Sequence, residues 1–200
     1  AKRGVAIVLL LPWLHLLPIS AEAADENGSY AVRGVGARPC AVFVQAVDNE
    51  PQSTPLFVSW IDGHLSAHNR LKEATFDASF MTNTNEFAGM LYNLCRKQPE
   101  LRLETALVEL LAALAPARVR SASDPVEIHS GETRIVLRGE TMRLVQQRLA
   151  AQGLYNAAID GQYGPGMSAG LRRFQKQRGL PTTAVPDSDT LVQLLLGNEE

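Results

Sequence analysis

Val145-Gln146-Gln147-Arg148-Leu149, Gly153-Leu154-Tyr155, Asp160-Gly161-Gln162-Tyr163-Gly164-Pro165, Phe174-Gln175, Gly179-Leu180-Pro181 and Asp187 with Thr190-Leu191 follow one another through the last third of this 200-residue chain. Met142, Val145 and Leu149 recur at helical spacing, which predicts a helix over residues 140–152 with one apolar stripe. Gly153 follows the last periodic position and suits the left-handed turn that ends a helix, so that Tyr155 folds back over the core. Asp160-Gly161 is a turn dipeptide, and Pro165 suits the first position of a second helix, where no amide hydrogen is needed. That helix turns Met167, Leu171 and Phe174 inward and leaves Arg172, Arg173, Lys176 and Arg178 toward solvent or its C-terminal end. Asp187 caps a short third helix whose Leu191, Leu194 and Leu195 complete a three-helix core.

This ordered series resembles the small helical peptidoglycan-binding domain appended to cell-wall hydrolases. The chain departs from that family's usual pattern at Met167 (usually threonine), Gly170 (usually alanine) and Ala184 (usually glycine). The resemblance implies peptidoglycan as partner and no cofactor. Around the loop between the first two helices, Tyr155 and Tyr163 have rings suited to sugar faces or peptide carbons, and Arg172 suits a peptide carboxylate. Asp160, ahead of Gly161, is expected to accept backbone hydrogen bonds that hold the loop, and joins them as a candidate ligand contact. The competing reading of each is plain core or surface duty, since such bundles also serve as spacers or protein-docking modules.

Composition fits two modest cores. Hydrophobic content is 46% and net charge −2, which argues against disorder. No polybasic run exists to grip phosphates, so nucleic acid is not an expected partner. At the start, Lys2-Arg3 precede an apolar run from Val5 to Ile19, broken by Pro12 and Pro18, and Ala21-Glu22-Ala23 gives the small-x-small pattern of a secretory cleavage site. Residues 1–23 are therefore read as a signal peptide, with an uncleaved anchor as the alternative. No cysteine stands at the cleavage site for lipid attachment, and the expected location is periplasmic or secreted.

Cys40 and Cys95 are the two cysteines, and in an oxidising compartment such a pair is most simply a disulfide. On the chain-entropy view a loop of about 56 residues is stabilised by about 4 kcal/mol. A redox role is the lesser reading, because no Cys-x-x-Cys spacing is present. Residues 30–114 read as helical. Cys40, Phe43, Val44 and Val47 give one face, Trp60, Ile61, His64, Leu65 and His68 another, and Phe87, Met90, Leu91 and Leu94 a third. Asn83 and Glu86 suggest a capping box, and Pro99 is expected to open a fourth helix with Leu103, Leu107, Leu110, Leu111 and Leu114 inward, stopped by Pro116. With its cysteine pair and the segment from Trp60 to Asn69, this region resembles small disulfide-bonded periplasmic helical proteins of the acid-chaperone and Rap1a-immunity type. That resemblance implies a binding domain without chemistry of its own.

Residues 117–131 lose apolar periodicity and read as a linker, with a short extended entry over 133–137. Two stretches carry enzymatic patterns in part. Gly166-Met167-Ser168-Ala169-Gly170 fits a hydrolase nucleophile elbow in letters, but the elbow needs a preceding strand and a later histidine, and the last histidine is His129. His64 and His68 stand one helical turn apart, yet Leu65 occupies the position of a zinc-protease glutamate, and two imidazoles alone make a poor metal site.

The expected protein is all-α: a signal peptide (1–23), a disulfide-containing helical domain (24–116), a linker (117–132) and a three-helix peptidoglycan-binding-like domain (133–200). Its expected function is exported, non-catalytic wall binding, with the N-terminal domain presented to another envelope protein. A periplasmic chaperone- or immunity-like factor is the alternative, and a wall hydrolase the third reading. No catalytic residue and no metal site is assigned.

Overall fold

Seven helices and one β-hairpin carry the described residues, 25–130 and 133–197, of a computed structural model. The signal-peptide reading of residues 1–23 lies outside the described residues. The chain divides into two units, residues 1–31 and 32–200. In the first, Asp25 organises a turn by accepting the backbone amides of Asn27 and Ser29 on one carboxylate oxygen, at 2.9 and 2.8 Å.

The second unit starts with four helices: α1 (Cys40–Asn49), α2 (Thr54–Leu71), α3 (Thr84–Lys97) and α4 (Leu103–Leu114). Their facing stripes make one core in which Phe43, Ile61, Phe87, Leu91, Leu103, Leu107 and Leu114 are fully buried. The expected faces hold, with the flanking Val44, Val47, Met90 and Leu94 only half-buried. Cys40 and Cys95 are joined, and their bridge ties α1 to α3 across a sequence separation of 55. Ahead of α1, Trp60 lies against Gly36 so closely that a Cβ there would overlap the ring, and its Nε1 donates to the Arg33 carbonyl at 2.9 Å.

Pro99 does not open α4. Residues 98–101 instead form a turn, closed by the Leu101 amide on the Gln98 carbonyl at 3.1 Å, beside the start of α1, where the carbonyls of Pro99 and Leu101 accept the amides of Ala41 and Cys40 at 2.9 and 2.7 Å. Those amides belong to the unbonded first turn of α1, so the stretch satisfies donors that a longer α4 would have left open. The capping box at α3 is half made. Asn83 accepts the Asn85 amide at 2.9 Å, and no side-chain bond from Glu86 returns to it among the described residues.

The stretch read as linker carries structure of its own. Val119 is fully buried and pairs with Asp77, and Pro125–Ser130 forms β1, antiparallel to β2 (Thr133–Arg138) with Ile128 opposite Ile135. The alternation of Val126 and Ile128 was the strand signal there, with Pro125 tolerated at the strand's first position. The expected extended segment at 133–137 is the body of β2.

From β2 the chain enters α5 (Gly139–Ala151), then α6 (Pro165–Gln177) and α7 (Ser188–Leu195). Met142, Val145, Leu149, Met167, Leu171, Phe174, Leu191, Leu194 and Leu195 form the expected three-helix core. Asp187 caps α7 by accepting the Thr190 amide at 2.9 Å, and Gly153 ends α5 at φ +69°. Two of the three departures from the family pattern, Gly170 and Ala184, have physical reasons here. A Cβ on Gly170 would meet the Leu154 carbonyl oxygen at 2.8 Å, so α6 and the loop after α5 approach backbone to backbone. Ala184 takes φ +66°, the conformation glycine favours, and its methyl is fully buried. The left-handed cost of about 1–2 kcal/mol is offset by about 0.8 kcal/mol of methyl burial and by the lower unfolded-state entropy of alanine. The three nearly cancel, which is why alanine is tolerated.

Candidate functional site

Gln146 sits on the buried side of α5 beside Val145, with no exposed surface. A primary amide there carries two donors and an acceptor that must all be matched. Its nitrogen donates to the Asp160 carboxylate at 2.7 Å and to the Gln162 carbonyl at 3.1 Å, with the Tyr155 hydroxyl at 3.3 Å. Its oxygen accepts the Gly161 amide at 2.8 Å. One helix side chain thus fixes the whole Asp160–Gln162 turn. Gly161 takes φ +78°, and a Cβ on it would meet the Gly139 carbonyl oxygen at 2.7 Å. Gly161→Ala is therefore expected to lower stability by about 2 kcal/mol, combining the left-handed penalty with a backbone clash. Denaturant unfolding against wild type measures it.

A second buried glutamine repeats the device. The side-chain nitrogen of Gln175 on α6 lies 2.9, 2.9 and 3.0 Å from Thr183 Oγ1, the Val185 carbonyl and Thr190 Oγ1, three acceptors that share its two hydrogens, and its oxygen accepts the Ala184 amide at 2.9 Å. It pins the turn before α7 as Gln146 pins the turn before α6. Neither role was assigned from sequence. The signal was a glutamine directly beside a core position on each helix.

The fixed turn forms one wall of a polar cleft of about 300 Å3. Asp160, Gln162 and Arg143 line it from the three-helix side, and Ser123, Asp124 and Glu127 from the segment before β2. Asp160 is exposed there, yet its carboxylate is held below the ordinary range, first by the Gln146 amide and then by the Gln162 amide at 2.9 Å. A depressed folded value means these bonds stabilise the turn above the unfolded carboxylate pKa and are lost as pH falls through the folded one. Thermal unfolding followed from pH 7 to pH 3 should show an acid loss that is smaller in Asp160→Asn.

The four residues expected at the ligand do not all meet. Asp160 lines the cleft. Tyr155 stands behind it, half-buried, its hydroxyl donating to the Ala158 carbonyl at 2.7 Å and its pKa raised by burial and by the Asp160 charge. Tyr163 turns to the α7 side, where its hydroxyl donates to the Ala184 carbonyl at 3.0 Å. Arg172 is exposed on α6, outside the cleft lining. Arg143, which pairs with Glu140 at 3.1 Å, and Gln162 are the cleft residues that sequence reasoning passed over.

The geometry agrees with a sequence comparison. Residues 138–194 match the family described as "Putative peptidoglycan binding domain". The peptidoglycan-binding-type module thus begins at the last residue of β2, and the match supports peptidoglycan as a partner. The chain is also similar to two curated proteins named "Putative OxPP cycle protein OpcA". One is from Synechococcus elongatus, 42% identical over 73 residues, covering 33% of this chain and 16% of that protein. The other is from Nostoc punctiforme, 49% identical over 49 residues, covering 24% of this chain and 10% of that protein. The chain therefore spans a small part of either relative's length. No solved structure matches it significantly.

Neither the family description nor the relatives' names indicate catalysis. Ser168 lies within α6, so no strand precedes it as a nucleophile elbow requires. His64 and His68 are both held below the ordinary imidazole range, chiefly by burial, and the His64 ring contacts Trp60 at 5.4 Å. Among the described residues no group of three or more metal-ligating side chains occurs, and no helix is long and apolar enough to cross a membrane.

Proposed function

We propose that this is an exported, non-catalytic protein that holds bacterial peptidoglycan through its C-terminal module and presents the disulfide-tied helical region to another envelope protein. The single observation that carries the reading is the coincidence of the family match with a pre-set polar cleft that the matched module walls on one side with Arg143, Asp160 and Gln162. In the cleft, Asp160 accepts hydroxyl or amide hydrogens of the wall polymer, while Arg143 and the Gln162 side chain offer donors to its carbonyl and carboxylate groups. Because the Tyr155 and Tyr163 hydroxyls already serve backbone carbonyls, their contribution is ring surface rather than a free hydroxyl. Arg172 provides an outer contact for a peptide carboxylate. Residues 24–116 and 133–200 act as two functional modules on either side of the 117–132 segment.

The disulfide supports an oxidising compartment, periplasmic or secreted. Sedimentation of the full chain with purified sacculi tests the proposal. Wild type is expected in the pellet, and Asp160→Ala combined with Arg143→Ala should shift it to the supernatant by roughly tenfold in apparent affinity, the loss of two polar contacts. Equal pelleting of both, or no pelleting beyond an unrelated helical protein, would overturn it. Muropeptide release during the assay would revive the hydrolase reading.

A further inference from the structure

An opening of about 610 Å3 in the second unit lies between the four-helix region and the C-terminal module and is distinct from the Asp160 cleft. Four consecutive residues of β2, Arg134, Ile135, Val136 and Leu137, line it. Successive strand residues point to opposite faces, so an opening that touches all four runs along the strand's edge rather than under one face. The sheet has two strands, and β1 occupies the other edge of β2. Among the described residues no backbone hydrogen bond joins 134–137 to anything beyond that pairing. Alternate amides and carbonyls of β2 are therefore directed into the opening as a pairing template.

The helical side of the opening supplies charge. Asp62 of α2, bonded by the Thr84 hydroxyl at 2.5 Å, and Glu86 of α3 both line it, and neither has an ion-pair partner among the described residues. The lining cation, Arg134, is taken by Glu127 at 2.7 Å. Asp187, also in the lining, is occupied by Thr190 and Thr183. Two carboxylates without a cation thus face a strand edge without a strand.

We propose that β2 receives an extended peptide segment of a partner protein as a third strand, with a lysine or arginine of that segment placed between Asp62 and Glu86. Backbone ladder bonds would give the affinity and the two carboxylates the preference for a cation, as in strand-addition recognition generally. The site uses both halves of the second unit and stands independently of wall binding.

Selection of random dodecapeptides displayed on phage against the immobilised full chain tests it. Enriched peptides should alternate β-branched or aromatic residues with polar ones and carry at least one lysine or arginine. A synthetic copy should lose roughly tenfold in affinity, or more, when the amides of one alternate register are N-methylated, and a similar factor against the Asp62→Asn, Glu86→Gln double variant. Circular dichroism confirms that this variant is folded, and its sedimentation with sacculi should be unchanged, which separates this site from the wall cleft. No enrichment over an unrelated helical protein, or peptide binding indifferent to N-methylation and to the double variant, overturns the proposal. Displacement of the peptide by soluble muropeptides would also overturn it, assigning the opening to the wall polymer.

Discussion

Replacing Cys40 and Cys95 together with alanine is expected to lower the free energy of unfolding by about 4 kcal/mol, the largest single effect in this protein. The bridge joins α1 to α3 over a separation of 55 residues, so breaking it returns to the unfolded chain a large loop's worth of conformations. Both cysteines are fully buried among Phe43, Leu91 and Leu103, and the alanine pair adds a small packing loss. Domains of this size are stabilised by only about 5–15 kcal/mol, so the loss is a large fraction of the whole. Denaturant unfolding of the oxidised protein, the reduced protein and the double variant checks it. A reduced midpoint equal to the oxidised one would mean that helix packing alone holds α1 and α3 together.

Gln146→Leu should have the second largest effect. Leucine fits the side chain's volume, but it leaves the buried Gly161 amide without its acceptor and strips donors from the Asp160 carboxylate and the Gln162 carbonyl. Each orphaned buried group costs about 1–3 kcal/mol, and with Asp160 at the surface able to turn to water a net loss of about 3 kcal/mol is expected. The neighbouring Gln147 is exposed, and Gln147→Leu should stay within about 0.5 kcal/mol of wild type. The same Gln146→Leu protein, assayed below its unfolding transition, should sediment with sacculi at least tenfold less well, about 1.4 kcal/mol, because the turn carrying Asp160 is no longer fixed. Retained sedimentation despite the stability loss would place the wall contact elsewhere on the module.

Sequence periodicity was sufficient wherever apolar residues decide an element. Met142, Val145 and Leu149 located α5 to within a residue at either end, and Asp187 marked the start of α7 by its capping oxygen. The disulfide followed from there being two cysteines and one bridge to make. It failed where distant backbone decides. Pro99 looks like a helix start, but the amides of α1 claim the carbonyls around it, a pairing between segments some sixty residues apart that no local pattern carries. Strand β1 was hidden by its brevity and by Pro125, and its alternation gains meaning only once β2 lies beside it. At the site, Asp160 was legible because Asp-Gly punctuates turns. Arg143 and Ser123 were not, because the cleft joins residues of α5 with a segment that precedes the hairpin.

The packing of Trp60 on Gly36 equips the protein with its own optical gauge. The sequence holds two indoles, Trp13 and Trp60, and a form trimmed after Ala23 would retain Trp60 alone. Its emission would then follow the docking of residues 33–36 onto α2, and nothing in the three-helix module would contribute to the signal. Comparing that emission with backbone ellipticity during a melt would reveal, without any attached dye, whether the two halves come apart together or in turn.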